Sequence, residues 1–317
     1  MIATPILFIC FNRPDHTRRV LDEIVKVSPR ELFIFQDGPR NEDDRDRCVE
    51  VRNILNNGVT WPCNVNTFFS DKNLGCGPGP VAAINWFFDH VEQGIILEDD
   101  AVPHQDFFLF AEELLERYAR DESIMAIGSM KIGDTVYGDG SYYFSKMNHT
   151  LCAWATWKRA WKLFDYRLLD FSSRDLNQCL KYYGAHLRER EYWCERLEEI
   201  HQDALNNSSW DQQFWMSIWR HKGKGILPNT NLSTNIGFDI LGTHTRDLHN
   251  PASNIQSGSI LPIVHPSSQA IQRKADYDFQ KRYFQPWAYG WEGVKNFPFR
   301  LNKRLKRLVG HKGPWFK

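Results

Sequence analysis

Three consecutive carboxylates, Glu98-Asp99-Asp100, follow directly on the apolar run Ile95-Ile96-Leu97. That run has the length and β-branched content of a buried strand, and Pro103 prevents it from simply continuing as a central one. Adjacent negative side chains at a strand end repel one another, so a fold that keeps them there needs a cation close by. Hard oxygen ligands of this kind suit Mg²⁺ or Mn²⁺ held together with substrate phosphates. In an open α/β sheet the carboxyl ends of strands are also where ligands bind. The plainer role for Asp99 or Asp100 is to cap the helix expected from Gln105.

The segments around this motif alternate between strand and helix. Pro5 to Phe11 reads as a buried strand, and Asn12-Arg13-Pro14-Asp15 starts a helix with Pro14 in its first turn. Leu32 to Phe35 is a second strand, closed by the turn Gln36-Asp37-Gly38-Pro39, and Asn41 is placed to cap the helix that follows. Val65 to Phe69 is a third strand, and Val81 to Val91 a helix leading into the acidic strand. This alternation is the signature of βαβ units around a mostly parallel sheet. The loop Asn73 to Pro80 is not GxGxxG, and its two prolines remove amide donors that a pyrophosphate would need. It reads either as a tight turn or as a loop bringing a helix N-terminus to a ligand.

Beyond the motif, Phe107 to Tyr118 marks an amphipathic helix, Ile124 to Gly128 and Tyr142 to Ser145 are strands, and Leu151 to Trp157 runs into a helix. Helical patterns fill Asp175 to Tyr182 and Glu189 to Leu205, and Ser208-Ser209-Trp210-Asp211 opens another. Ser208 and Asp211 have the spacing of a capping box, in which Asp211 is no more than a cap. Ile226 to Pro228 and Asn235 to Phe238 are extended, and from about Asn250 the texture loosens into Pro, Ser, Asn and Gln.

Composition narrows the function classes. A chain of 317 residues can bury about three quarters of its unfolded surface in one or two domains. With 39 basic and 39 acidic residues there is no global field to attract nucleic acid. Seven cysteines without CxxC pairs argue against a disulfide framework and for a reduced, cytoplasmic setting. Neither a signal peptide nor a membrane span is expected. The segment Lys295 to Lys317 carries eight Lys/Arg and no acid, interleaved with Phe297, Phe299, Leu301, Leu305, Leu308 and Trp315. Such a basic amphipathic tail suits peripheral contact with an anionic membrane surface, or a helix packed on the body.

Taken in order, four blocks resemble glycosyltransferases of the GT-A fold, in particular N-acetylglucosaminyltransferase I and family-2-type bacterial enzymes. They are Ile9 to Arg13 with Thr17 to Asp22, Phe35-Gln36-Asp37-Gly38, Glu98-Asp99-Asp100 with Pro103 and Asp106-Phe107-Phe108, and Ser209-Trp210-Asp211 with Trp215. The resemblance spans residues 5–245. It implies an α/β, Rossmann-like GT-A domain in which residues 1–104 form the donor half and 105–248 the acceptor and catalytic half, with 249–317 as a C-terminal extension.

The resemblance also implies roles. Asp100 would hold the divalent ion bridging the donor's phosphates, and Asp99 and Glu98 would contact ribose or sugar hydroxyls. Asp37 would accept a hydrogen bond from the base, uracil being suited to that. Arg13 would lie near the base or phosphates, or else pair with a neighbouring acid. His244 would reach the diphosphate or the ion, unless it is a plain surface residue. Trp154 and Trp157 would stack on the acceptor, although a chain with 12 tryptophans must bury most of them. Asp211 would be the general base of a single, inverting displacement. The expected activity is transfer of a sugar from a UDP-sugar to a hydroxyl of a glycan or lipid-linked saccharide. The rival expectations are a sugar-phosphate nucleotidyltransferase, whose Gly-rich Arg/Lys loop Asn12-Arg13-Pro14 does not supply, and a non-catalytic carbohydrate-binding protein.

Overall fold

The structure is a computed structural model describing residues 1–147, 150, 152–202, 210–238, 252–253 and 255–284. Its elements run β1 (Ile6–Cys10), α1 (Pro14–Val27), β2 (Glu31–Gln36), α2 (Glu42–Gly58), β3 (Asn64–Phe69), α3 (Pro78–His90) and β4 (Gln93–Glu98). Then come β5 (Ala101–Pro103), α4 (Gln105–Arg117), β6 (Ile124–Gly128), β7 (Tyr142–Ser145), β8 (Trp154–Trp157), α5 (Lys158–Trp161), α6 (Ser173–Tyr182) and α7 (Leu187–Gln202). The described chain ends with α8 (Asp211–Arg220), β9 (Lys224–Pro228), β10 (Ser233–Asn235) and α9 (Arg273–Tyr283).

An eight-stranded sheet in the order β3-β2-β1-β4-β8-β6-β9-β7 organises the molecule. Its first four strands are mutually parallel, whereas β8 runs against both β4 and β6, and β7 runs against β9. The fold is therefore α/β with a mostly parallel, Rossmann-like sheet. The strands alternate between two buried faces, as a period of two requires. Ile6, Phe8, Leu32, Ile34, Ile95 and Leu97 pack with α1, α2 and α4, while Leu7, Ile9, Phe33, Phe35 and Ile96 pack with α3 and α8. A sheet covered on both sides has no polar face, which is why these strands read as continuous apolar runs.

Several local signals act as expected. Pro14 begins α1, and the Asn41 side chain accepts from the Asp44 N–H to cap α2. The helix after the acidic motif is capped by His104, whose Nδ1 accepts from the Asp106 N–H, so Asp99 and Asp100 are not spent as caps. Helix α8 starts at Asp211 with Trp210 at the N-cap, which makes Asp211 the first helical residue, two positions before the N3 place that a capping box requires.

The described residues 255–284 are more ordered than their composition suggests. α9 packs Phe279 into a cluster with Trp193, Trp215 and Trp219. It is also tied by a buried ion group in which Lys146 Nζ lies 2.8 Å from Glu189 and 3.8 Å from Asp276. All seven cysteines are unpaired, and among the described residues no helix is long and apolar enough to cross a membrane. The basic segment 295–317 lies outside the described residues.

Candidate functional site

Strand β1 has β2 on one side and β4 on the other, so the chain reverses its direction of winding between β1 and β4. A crevice opens at such a switch point beyond the carboxyl ends of the strands. The register sets what meets there: Cys10 is opposite Gln36, and Ile9 is opposite Glu98. The residues just past three strand ends, Phe11 to Arg13, Asp37 and Glu98 to Asp100, therefore converge, although they are remote in sequence. Over them lies a cavity of about 530 Å³ lined by, among others, Phe11, Arg13, Asp37, Asn73, Glu98 and Asp99.

At the β4 end, Asp99 is 3 % exposed and accepts from the Phe11 backbone N–H at 3.3 Å. The Arg13 guanidinium pairs with Asp99 and, at 3.0 Å, with Asp100. The ion-pair alternative for Arg13 is thus realised, in a side chain that also lines the cavity. Burial works against the Arg13 charge, but the two aspartates outweigh it and hold the guanidinium above its ordinary value.

One cation cannot neutralise three carboxyls. Burial, then Asp100 and Asp99, push Glu98 up to about 8, with a smaller contribution from Asp211. Asp99 is also raised, because burial outweighs its Arg13 partner. Asp211 stands in the first turn of α8, close enough to Glu98 for its charge to be felt. The ribbon of β5 and β10 returns the chain to the motif: Ile236 N–H donates to the Asp100 carbonyl at 2.9 Å. A Cβ at Gly237 would fall 2.2 Å from Asp100 Oδ2, so that position leaves no room for a side chain. His244, further along, lies outside the described residues.

Among the described residues no group of three His, Cys, Asp or Glu is arranged to enclose a metal. Mg²⁺ or Mn²⁺ bound together with substrate phosphates requires only one or two protein carboxylates. Asp100 meets that requirement: its side chain is 20 % exposed, and of its two oxygens only Oδ2 is engaged by Arg13. The surplus negative charge around it suits a divalent ion.

At the β2 end the structure corrects an expectation. Asp37 lines the cavity, but Oδ1 accepts from the Gly38 and Leu74 N–H groups and Oδ2 from the Gly75 N–H and Asn73 Nδ2, all within 2.8–3.1 Å. A carboxylate has about four acceptor positions, so none is left for a base. Burial raises the Asp37 carboxyl, with the three backbone N–H bonds opposing it. Its work is to fold the loop after β3 over the cavity. Gly75 takes φ +85°, and a Cβ at Gly38 would come within 2.5 Å of the Lys72 backbone. The loop forms a turn, and its residues Gly75, Cys76, Gly79 and Pro80 line the cavity.

The tryptophans are corrected as well. Trp154 is fully buried against Trp161, Trp210 and Phe214, and Trp157 is 2 % exposed with its indole N–H donating to the Leu115 carbonyl at 3.0 Å. Neither ring has a face open to a sugar; both are core. The sequence reading missed Asn73, Arg40 and Arg47, which line the cavity. The usable signal was position, since Arg40 and Asn73 each follow within a few residues of a strand end.

No family profile and no curated protein sequence matches the chain. Among solved structures, it is similar to the mannosyltransferase PcManGT from Pyrobaculum calidifontis in complex with GDP-Man and Mn²⁺, at 13 % identity, TM-score 0.37 and 70 % of each chain. It is also similar to an apo UDP-glucose pyrophosphorylase, at 8 % identity and TM-score 0.36 over 72 % of this chain and 90 % of that one. A third is HddC from Yersinia pseudotuberculosis, at 10 % identity and TM-score 0.31 over 50 % and 78 %.

Proposed function

We propose that this protein is a metal-dependent, inverting glycosyltransferase of the GT-A type, taking its sugar from a nucleoside-diphosphate donor. The reading is supported by the acidic run Glu98-Asp99-Asp100 at the wall of a cavity of about 530 Å³ at the switch point, with the charge of Asp211 felt at Glu98. In this reading the nucleoside lies in the cavity, over the ends of β1 and β2, with its diphosphate toward β4. A divalent ion held by Asp100 would neutralise the diphosphate as it leaves. Arg13 is locked on Asp99 and Asp100 and so fixes the position of the Asp100 carboxylate. Glu98, beside Asp99 and Asp100 at the cavity wall, contacts the hydroxyls of the donor sugar. Asp211 takes the proton of the acceptor hydroxyl on a carboxylate oxygen as that hydroxyl's oxygen attacks the anomeric carbon. The donor half is 1–104 and the catalytic half 105–248, and a glycan or lipid-linked saccharide is the acceptor class.

The test is release of nucleoside diphosphate from a panel of nucleotide sugars with Mn²⁺, comparing wild type with Asp211→Asn. The variant should retain donor affinity and lose at least about 10²-fold in turnover. Near-normal turnover would remove the base assignment. Release of pyrophosphate from a nucleoside triphosphate plus a sugar phosphate would replace the reading with nucleotidyl transfer.

A further inference from the structure

The base end of the cavity holds an acceptor that Asp37 cannot supply. Asn73 Nδ2 donates to Asp37 Oδ2 at 3.1 Å and to the Gly38 carbonyl at 2.8 Å. Both partners are oxygens, so the amide nitrogen must face them and the amide orientation is determined by chemistry. With both donors committed, Asn73 Oδ1 points away from Asp37. No donor among the described residues reaches it, and it is not among the buried unpartnered atoms, so it is open to solvent. Asn73 lines the cavity together with the apolar walls Ile9, Phe11 and Phe35. Strands β2 and β4 flank β1, which separates this end from the acidic end by two strand spacings, about 10 Å. That leaves room for a nucleoside between Asn73 and the diphosphate.

We propose that Asn73 Oδ1 is the base-reading acceptor of this protein, selecting nucleobases that present a ring N–H. Uracil and guanine carry that donor. Cytosine and adenine place an unprotonated ring nitrogen there, so two acceptors would face each other. The selection is preorganised, because Asp37 fixes the amide through a carboxylate itself held by three backbone N–H groups. The inference rests on the nucleotide-binding reading above and adds the residue that chooses the base.

Calorimetric titration of the full chain with UDP, CDP, GDP and ADP, each with Mn²⁺, separates the outcomes. The wild type should bind UDP and GDP at least tenfold more tightly than CDP and ADP. Asn73→Leu should weaken UDP until it lies within about threefold of CDP while leaving CDP affinity unchanged. Equal affinity of the wild type for UDP and CDP overturns the assignment to Asn73 and leaves the glycosyltransferase reading standing. So does a uniform loss across all four ligands in Asn73→Leu, which would make Asn73 only a support for its loop. Absence of binding by every nucleoside diphosphate overturns both.

Discussion

Replacing Lys146 by Met should destabilise the protein strongly at pH 8 and much less at pH 5. The Lys146, Glu189 and Asp276 side chains are 4 %, 4 % and 1 % exposed, so removing the ammonium leaves two carboxyls together away from water. Breaking a buried ion pair on one side costs about 3–5 kcal/mol, a large part of the roughly 5–15 kcal/mol that holds a domain folded. At a slope of about 3 kcal/mol per molar urea, a loss of about 4 kcal/mol moves the unfolding midpoint by about 1.3 M. Burial raises Asp276 from 3.8 to about 6, with Lys146 the main opposing influence. A carboxyl raised in the folded state binds its proton more tightly there, so its contribution to stability falls as pH climbs from about 4 to 6. Without Lys146 the folded value rises further and that decline continues to higher pH. The deficit relative to wild type is therefore small at pH 5 and complete at pH 8. Adding Glu189→Gln and Asp276→Asn to Lys146→Met should restore most of the midpoint, because the Gln280 Nε2 bond to position 189 keeps an acceptor. An unchanged midpoint at pH 8, or the same loss at both pH values, would refute the reasoning.

Two further substitutions test the core and the site. Arg13→Met leaves the 4 % exposed Asp99 side chain without its cation, so urea unfolding should show a loss of about 3–5 kcal/mol, partly recovered by adding Asp99→Asn. Trp157→Ala removes a buried ring whose indole is bonded to Leu115 and overlain by Arg159 at 4.4 Å. It should cost about 3–5 kcal/mol, and a stable variant altered only in acceptor KM would contradict the core placement.

Strands β1, β2 and β4 were legible because they are buried on both faces and announce themselves as apolar runs with turn residues between them. The acidic motif was legible for the opposite reason, since three carboxylates at the end of such a run have no packing role. Orientation was not legible: Tyr142–Ser145 read as a strand and Trp154–Trp157 only as a segment running into a helix, and nothing in either says that it runs against its neighbours. Helix α9 was hidden because its ties, Phe279 with Trp193 and Asp276 with Lys146, join residues far apart in sequence. The same limit hid the partners of Asp37, three of whose four hydrogen bonds come from a loop 36 to 38 residues away. Trp154 and Trp157 failed differently, because an aromatic residue in a strand looks alike whether it faces a sugar or the core.

The central claim is that the acidic strand end takes up a divalent ion together with a nucleoside diphosphate through Asp100. Calorimetric titration of UDP into the wild-type chain and Asp100→Ala, each with and without Mn²⁺, measures it directly. Mn²⁺ should strengthen UDP binding to the wild type at least tenfold, and Asp100→Ala should lose that enhancement. Binding that is indifferent to the metal, or an enhancement that survives the substitution, would contradict the claim.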